Sequence, residues 1–333
     1  MQTVSHNDAR LTWEGAVSVE FSDEWAMPWR LPFKDLEFYP HENLQLKASL
    51  PSSVRLRFIT DATEIIFNTA VLANDGNADL YADGKLVSTQ AFKNGDTKIA
   101  FGQLPQGRKL IELWPNQKTA FRLSSIQISD GAEIFPADDK RPKWITYGSS
   151  ITHCAAAGSP SFTWPGVVAR KKGINLTSLG FGGECHADPM IARLIRDLPA
   201  DMVSVKLGIN IYGNGSLNQR SFLPAIIGTI STVREKHPNI PFIVCSPVWS
   251  PDREDTPNAV GLTLKIMREQ ISRAVSLFRK RGDENIHYVD GLKLFGPELV
   301  SNLPDKLHPD AEGYIRLGEN FFREVFEVLK IEV

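Results

Sequence analysis

Two adjacent serines stand where an apolar run ends. The stretch "WITYGSSITHC" begins at Trp144, and its first residues are typical of a buried strand that Gly148 ends. Ser149 and Ser150 follow at once. A serine hydroxyl becomes a nucleophile when a neighbouring base takes its proton. The stretch therefore predicts a nucleophilic serine, and the pattern alone leaves both residues open.

A base and an acid stand close together near the C-terminus, in "DKLHPD". Asp305 and His308 are near enough on one turn for the carboxylate to reach the imidazole. A histidine can take a serine's proton and later protonate the leaving group. The carboxylate fixes the tautomer of the histidine and stabilises its cation. These residue types predict acyl transfer, with His186 as an alternative base.

Two glycine- and amide-containing segments provide hydrogen-bond donors. "GFGGECH" starts at Gly180 and "GIN" starts at Gly208, each after a strand-like run. The tetrahedral intermediate of acyl transfer needs donors for its oxyanion. The backbone amide of Gly183 and the side-chain amide of Asn210 could supply two. The amide of Ser150 would be a third if this residue opens a helix.

The elements that must position these residues follow an alternating pattern after Lys143. The predicted strands are Lys143–Gly148, Ile174–Gly180, Met202–Gly208, Pro241–Ser246 and Ile286–Asp290. The predicted helices are Phe162–Lys172, Pro189–Asp197, Asn218–Lys236, Ala259–Arg281 and a last one from about Gly313. Alternating strands and helices predict a parallel sheet covered on both faces. Because ligands bind beyond the carboxyl ends of such strands, we expect the polar segments to converge there.

The chain before Pro136 has a different pattern. Short strand-like runs alternate with turns, and Asp83-Gly84 predicts a two-residue hairpin. No helix is predicted there, and the pattern favours a β-sandwich. The polar stretch Ser129–Lys143 is interpreted as containing a linker. We therefore predict a β-sandwich over 1–136, a linker over 137–142 and an α/β domain over 143–333.

Four segments in order, "YGSSIT", "GFGGE", "GIN" and "DKLH", resemble the four blocks of the SGNH, or GDSL-type, hydrolases. The resemblance implies a three-layer α/β/α, flavodoxin-like domain with a central five-stranded parallel sheet. It assigns the nucleophile to Ser150, the orienting acid to Asp305 and the base to His308. The oxyanion hole would be formed by Ser150, Gly183 and Asn210. The family requires no cofactor and no metal.

The N-terminal half, with "ADLYADG", resembles the jelly-roll-like β-sandwich that precedes such domains in some carbohydrate esterases and related acyltransferases. The resemblance implies a serine esterase that acts on a small acyl ester of a carbohydrate, with acetyl as the expected acyl group. An acyltransferase with the same triad and an inactive carbohydrate-binding protein are the alternatives.

The sequence departs from the family pattern at two positions. Ser149 stands where the family has an aspartate before the nucleophile, which keeps Ser149 as an alternative nucleophile. Ile211 stands where an aspartate often follows the asparagine of the third block. Both departures weaken any transfer of fine specificity.

Further side chains near these segments are predicted to line the substrate pocket: His153, His186, Tyr212 and Trp249. Tyr212 and Trp249 could equally be ordinary core aromatics. Another possibility is a zinc site formed by the pairs His153-Cys154 and Cys185-His186. Zinc ligands are usually separated by several residues, however, and the residues of each pair are adjacent. Cys154 is an alternative nucleophile. "GFGG" does not complete the glycine fingerprint of dinucleotide-binding folds.

Composition limits the classes of partner. A net charge of −2 over 333 residues provides no basic surface for nucleic acid or an anionic membrane. Three cysteines are too few and too odd in number for a disulfide framework. The first residues lack the pattern of a signal peptide, and no apolar run is long enough for a membrane span. We therefore expect a cytoplasmic protein with a small-molecule or carbohydrate ester as its partner; the sequence does not indicate an oligomeric state.

Overall fold

The structure, a computed structural model, describes residues Met1–Val333 as two compact units. The first unit comprises Met1–Arg141 together with two later segments, Ser159–Gly166 and Asn175–Ser178. The second unit comprises the remainder, Pro142–Gly158, Val167–Ile174 and Leu179–Val333. The predicted domain limits at 136 and 143 stay a prediction.

The first unit contains two antiparallel sheets of six strands each, as predicted for a β-sandwich. The first sheet has the order β3-β4-β11-β6-β9 with β1 beside β11, and the second has β12-β5-β10-β7-β8 with β2 beside β5. The strands are β1 Gln2–Ser5, β2 Thr12–Glu14, β3 Ser18–Phe21, β4 Ala26–Trp29, β5 Arg55–Thr60, β6 Ile65–Thr69, β7 Gly76–Ala82, β8 Lys85–Phe92, β9 Lys98–Phe101, β10 Lys109–Trp114, β11 Leu123–Ile128 and β12 Ile134–Phe135.

Alternating apolar side chains of both sheets form the core of the sandwich. Phe58 on β5 and Phe67 on β6 pack edge to face with ring centroids 6.4 Å apart. The predicted hairpin is confirmed: Ala82 pairs with Lys85, and Asp83 and Gly84 form the turn with positive φ values of 47° and 74°.

The expectation that this half contains no helix is wrong. A two-turn helix, α1 (Glu42–Ala48), and a 3₁₀ segment, Phe33–Phe38, occur where no helix was predicted. Only Leu44 and Ala48 of α1 are buried, so the helix is too short to show a clear apolar period. The last strand of the sandwich, β12, pairs with β5 and lies within the predicted limits 1–136; the linker over 137–142 stays a prediction.

A five-stranded sheet follows later in the chain with the order β14-β13-β15-β16-β17, and the paired strands β13–β15, β15–β16 and β16–β17 are parallel. The strands are β13 Lys143–Gly148, β14 Asn175–Gly180, β15 Met202–Lys206, β16 Phe242–Cys245 and β17 Ile286–Val289. Gly148, Lys206, Cys245 and Val289 stand in register at their carboxyl ends. The predicted parallel sheet is confirmed, and the loops that follow these strands start at one edge.

Helices alternate with the strands, as the pattern predicts: α2 Ser150–His153, α3 Trp164–Lys172, α4 Pro189–Asp197, α5 Ile209–Asn214, α6 Gln219–Arg234, α7 Leu264–Lys280, α8 Gly291–Leu294 and α9 Ala311–Phe322. Short 3₁₀ segments occur at Pro160–Phe162 and Pro297–Asn302, and a π-helical turn, Arg323–Val328, follows α9. The α6 helix begins at a capping box formed by Asn218 and Ser221. No helix has the length and hydropathy that crossing a membrane requires.

Candidate active site

Three of the predicted residues lie in one hydrogen-bonded row within the second unit. The Ser150 hydroxyl lies 2.8 Å from Nε2 of His308. Nδ1 of His308 lies 2.6 Å from Oδ2 of Asp305. An ionised carboxylate only accepts hydrogen bonds, so Nδ1 carries the proton and Nε2 accepts from the serine. This is the arrangement in which a histidine can act as a base toward a serine.

The Asp305 carboxylate is held by the turn that leads to His308. Its Oδ1 accepts the backbone N–H groups of Leu307 at 3.0 Å and His308 at 2.6 Å. Partial burial raises the pKa of this carboxyl, but the hydrogen bonds from the His308 backbone, the His308 imidazole and the Leu307 backbone outweigh it and lower the pKa. Asp305 therefore stays ionised at neutral pH, which suits a group that stabilises an imidazolium.

Ser150 is placed by a strand end and a helix start. β13 ends at Gly148, Ser149 caps α2, and Ser150 is the first helical residue. The Ser149 hydroxyl accepts the backbone N–H of Ile151 at 3.3 Å and is buried, so it is occupied as a helix cap. The backbone N–H of Ser150, in the first turn, has no partner inside the helix. The condition set for a third oxyanion donor, that Ser150 opens a helix, is met.

Of the other two oxyanion candidates, Gly183 lies on the loop after β14 and Asn210 lies in the first turn of α5. Oδ1 of Asn210 accepts the backbone N–H of Cys185 at 3.1 Å, which leaves the Nδ2 group of the same amide to donate elsewhere. Gly183 has a φ of 84°, a left-handed conformation that favours glycine. The backbone N–H of Phe181 donates to the Gly148 carbonyl at 2.8 Å. These bonds join the loops after β13, β14 and β15 around one site.

The four predicted pocket residues have different surroundings. Nε2 of His186 lies 2.9 Å from the Gly183 carbonyl, and its Nδ1 lies 2.8 Å from the Ser216 hydroxyl. The Tyr212 hydroxyl donates to the Thr256 carbonyl at 3.0 Å. These contacts leave the predicted pocket role of both residues open.

The other two pocket candidates are less accessible or are held by their backbone. His153 is 3% exposed, and its Nδ1 lies 3.2 Å from the Gly180 carbonyl, so the predicted contact with substrate gains no support. The Trp249 side chain is partly exposed, and its backbone N–H donates to the Phe295 carbonyl at 3.0 Å. Its pocket role stays a prediction.

The structure gives little support to the two alternatives that involve cysteine, a cysteine nucleophile and a zinc site. Cys154, Cys185 and Cys245 are free thiols and all are buried. Burial raises the pKa of the Cys185 thiol, and that of Cys245, to about 12, which leaves both protonated and unreactive at neutral pH. The His153-Cys154 and Cys185-His186 pairs do not form a cluster that could hold a metal ion.

One buried group beside the site was not predicted. Ser250 lies on the loop between β16 and α7, and its hydroxyl donates to the Lys306 carbonyl at 2.7 Å. Lys306 belongs to the turn that carries the Asp305–His308 pair. Nothing in the local pattern "SPVWSPD" marks this serine, because its partner lies far along the chain.

Comparison with known proteins places this geometry in a family. The model of the GDSL-like lipase/acylhydrolase family matches residues 141–326, more than half of the chain. The chain belongs to the GDSL-like lipase/acylhydrolase family. A second model, that of the SsfX3 N-terminal domain, matches residues 11–124. This GDSL-like protein is thus a hydrolase of the SGNH type preceded by an N-terminal β-sandwich.

Solved structures resemble this GDSL-like protein over nearly its full length. The salicylyl-acyltransferase SsfX3 from a tetracycline biosynthetic pathway is 35% identical, with a TM-score of 0.92 over 98% of this chain and 97% of that chain. A GDSL-like lipase from Bacteroides ovatus is 19% identical, with a TM-score of 0.79 over 99% of this chain and 98% of that one. A family two carbohydrate esterase from Clostridium thermocellum is 14% identical, with a TM-score of 0.68 over 96% of this chain and 99% of that one.

A comparison with curated proteins gives no match. The structural neighbours at 19% and 14% identity share the fold of this GDSL-like protein, and their substrates do not carry over with it. The family and the fold are therefore established, and the reaction at the site is a matter for proposal.

Proposed function

We propose that this enzyme is a serine esterase that cleaves small acyl esters through an acyl-serine intermediate. The observation that carries the proposal is the unbroken row from Ser150 through His308 to Asp305, with heavy-atom distances of 2.8 and 2.6 Å. Both distances lie within the range over which a proton is transferred between positioned groups.

The reaction follows from the direction of these hydrogen bonds. Ser150 Oγ attacks the ester carbonyl carbon while its proton passes to Nε2 of His308. Asp305 stabilises the imidazolium through the Nδ1–H bond. His308 then gives the proton to the leaving alcohol, and the C–O bond of the ester breaks. Water repeats the sequence on the acyl-serine, releases the acid and restores the serine.

The oxyanion of each tetrahedral intermediate needs donors on the opposite side of the carbonyl from the base. We assign this role to the backbone N–H groups of Ser150 and Gly183 and to Nδ2 of Asn210. The bond from Cys185 N–H to Asn210 Oδ1 supports the assignment, because it orients the amide before substrate arrives. Donors fixed in advance stabilise the charge without reorganising during the reaction.

The proposed substrate is an acetyl ester on a carbohydrate. His308 and Asp305 keep 36% and 54% of their side-chain surfaces exposed, so the base and acid are accessible to an ester carried on a large molecule. Two structural neighbours that share the fold, a family two carbohydrate esterase and an acetyl xylan esterase from Butyrivibrio proteoclasticus, support this proposal by their names.

Acyl transfer to an alcohol other than water is the second candidate. It is favoured by the 35% identity to a salicylyl-acyltransferase over almost the full chain. The same triad serves both reactions, since they differ only in which hydroxyl attacks the acyl-serine.

The esterase proposal is tested by hydrolysis of p-nitrophenyl acetate. We expect Ser150→Ala to lower kcat about 10⁴-fold or more, since loss of a triad nucleophile leaves only binding and the oxyanion hole. Ser231→Ala, which removes an exposed serine on α6, is the matched control and should retain full activity. A fluorophosphonate probe should label Ser150, as mapped by mass spectrometry. Label on Ser149 or Cys154, or activity retained in Ser150→Ala, would reject the assignment.

The two reactions are separated by product analysis with alcohol acceptors. A hydrolase forms free acetate at a rate that added sugars or polyols hardly change. A transferase forms an acetylated acceptor, and its total turnover rises with acceptor concentration. Chromatographic quantification of both products decides between them.

A further inference from the structure

The turn that carries the acid and the base contains a residue in an unfavourable conformation. Lys306, between Asp305 and Leu307, has a φ of 61°. Left-handed backbone is costly for a residue with a side chain, and it persists when surrounding contacts enforce it. The contacts that enforce it here therefore also determine where the Asp305 carboxylate and the His308 imidazole lie.

Two donors from the loop after β16 hydrogen-bond to the Lys306 carbonyl. The Ser250 hydroxyl donates to the Lys306 carbonyl at 2.7 Å, and Nη1 of Arg253 approaches the same oxygen at 3.4 Å. Arg253 also donates to the Ser250 hydroxyl oxygen at 2.9 Å, so the hydroxyl proton is directed to the carbonyl. Ser250 is 1% exposed, which protects this bond from competition by solvent.

Ser250 is itself held by a partly buried ion pair between Glu254 and Arg268. Its backbone N–H donates to Oε1 of Glu254 at 3.0 Å. Glu254 accepts two hydrogen bonds from the Arg268 guanidinium, at 2.6 and 2.7 Å. Nε of Arg268 donates in turn to the Pro247 carbonyl at 3.0 Å. Ser250, Glu254 and Arg268 form what we call the Ser250 brace, which links α7 and the loop after β16 to the Lys306 carbonyl.

We propose that Ser250 is a positioning residue of the ester-cleaving reaction: by holding the Lys306 carbonyl it keeps Asp305 and His308 aligned with Ser150. The inference rests on the proposed function of that triad. Ser250 contacts neither Asp305 nor His308 through its side chain, and it acts through the backbone between them. A small displacement of a catalytic base is costly, because proton transfer requires both its distance and its direction.

The kinetic test compares two buried serines of the second unit. We expect Ser250→Ala to lower kcat for p-nitrophenyl acetate roughly ten- to a hundredfold, with KM changed less than about twofold, because the base is displaced while the binding surface remains. Ser204→Ala is the matched control. Ser204 is 1% exposed and bonds to Trp144 and Thr146, within the sheet. Its loss should lower stability and leave kcat unchanged.

A second substitution tests the route through the backbone. Glycine adopts a positive φ without the penalty of a side chain, so Lys306→Gly lowers the need for the brace. The Ser250→Ala/Lys306→Gly double variant should therefore regain part of the kcat lost in Ser250→Ala. A kcat for Ser250→Ala within about twofold of the wild type, or a double variant no faster than Ser250→Ala, would overturn the proposal.

An exchange measurement separates this proposal from the esterase proposal. The His308 amide is bonded to Oδ1 of Asp305, and we expect its hydrogen exchange, resolved by NMR, to be faster in Ser250→Ala than in Ser204→Ala. Unchanged exchange would refute the brace whatever the activity. If the wild type cleaves no ester and exchange is still faster, the proposed function fails and the brace on the Asp305–His308 turn stands.

Discussion

Ser149 shows how a departure from the family pattern is absorbed. Serine and aspartate are both strong helix caps because each presents a side-chain oxygen to the first backbone N–H groups. The Ser149 hydroxyl accepts the N–H of Ile151, so α2 begins in the same way with either residue. The substitution therefore changes the charge next to Ser150 while the start of the helix is kept.

Lys206 is the charged residue whose burial has the clearest consequence. It ends β15, is 6% exposed, and lies within electrostatic range of the buried thiols of Cys245, Cys185 and Cys154. Burial lowers the pKa of its ammonium to about 8, and the thiols offset part of this effect. A lysine in an unfolded chain has a pKa of about 10.4. The folded state therefore binds its proton less tightly than the unfolded state.

This difference predicts the effect of Lys206→Met on stability. Between about pH 8 and 10.4 the unfolded state binds more protons, so the wild type gains stability as pH rises through that window. Below pH 8 both states carry the proton, and the full cost of burying the charge is present. We expect Lys206→Met to raise the free energy of unfolding at pH 7 by roughly 1–3 kcal/mol, and this gain to shrink toward pH 10.4. Denaturant unfolding at pH 7, 9 and 10.5 checks it; a gain that does not depend on pH would contradict it.

At the scale of elements, sequence patterns predicted the strands and helices with a clear buried run or apolar period, and they failed for the short α1 helix. β13 and α4 have the predicted bounds, Lys143–Gly148 and Pro189–Asp197, because a buried run or an amphipathic period is set by local sequence. The α7 helix was predicted to start at Ala259 but starts at Leu264. Thr263 caps this start, since its side chain accepts the backbone N–H of Ile266. The short α1 escaped prediction since two turns carry too few apolar positions.

The approach of α2 to β14 depends on a residue without a side chain. A Cβ atom at Gly180 would lie 2.5 Å from the backbone nitrogen of His153 and from the backbone carbonyl carbon of Thr152. Backbone atoms of a helix cannot move individually, because each is bonded to its neighbours in the helix. Gly180→Ala must therefore displace α2, which carries Ser150. We expect a loss of about 1–3 kcal/mol in the free energy of unfolding together with a lower kcat.

Gly228→Ala is the control for that substitution. Gly228 lies within α6, where an added Cβ would meet no atom within 4 Å. Alanine should raise the free energy of unfolding there by about 0.5–1 kcal/mol and leave kcat unchanged. Thermal unfolding and steady-state kinetics on both variants check the pair. Equal effects of the two substitutions would contradict the role given to Gly180.

For the molecule as a whole, the sequence predicted which polar segments lie close together, but it did not predict the long-range hydrogen bonds that fix their positions. Ser150, Asp305 and His308 could be predicted because strand-end positions in a parallel sheet brought their segments together and the resemblance to the SGNH blocks selected the residues. Ser250 could not, since its bond to Lys306 joins positions 56 residues apart and leaves no local pattern. The same holds for the two later segments that belong to the first unit, Ser159–Gly166 and Asn175–Ser178.

Buried charges tie those two segments into the first unit. The Asp79 carboxylate is fully buried and accepts the hydroxyls of Ser159 and Ser161, each at 2.6 Å. Nη1 of Arg55 donates to the Leu176 carbonyl at 2.6 Å; Arg55 is 2% exposed, and this burial lowers the pKa of its guanidinium. A buried charge that loses its partners is strongly destabilising. The first unit is thus discontinuous in sequence, and its charged core needs chain from beyond residue 143.

Separate expression of residues 1–142 and 143–333 tests this discontinuity. The shorter piece would keep the bonds from Thr89 to Asp79 and from Arg55 to Glu14, but it would lack the serine hydroxyls and the Leu176 carbonyl. The longer piece would keep Ser159–Gly166 and Asn175–Ser178 without the strands they pack on. We expect neither piece to show the cooperative thermal unfolding and near-UV circular dichroism of the full chain, because buried Asp79 and Arg55 lose hydrogen-bond partners and each such loss is large against a typical total stability of about 5–15 kcal/mol. Asp79→Ala in the full chain should lower the unfolding temperature, because the buried hydroxyls of Ser159 and Ser161 lose their acceptor. A 143–333 fragment that unfolds cooperatively and cleaves p-nitrophenyl acetate at the full-length rate would show that the second unit is independent of these ties.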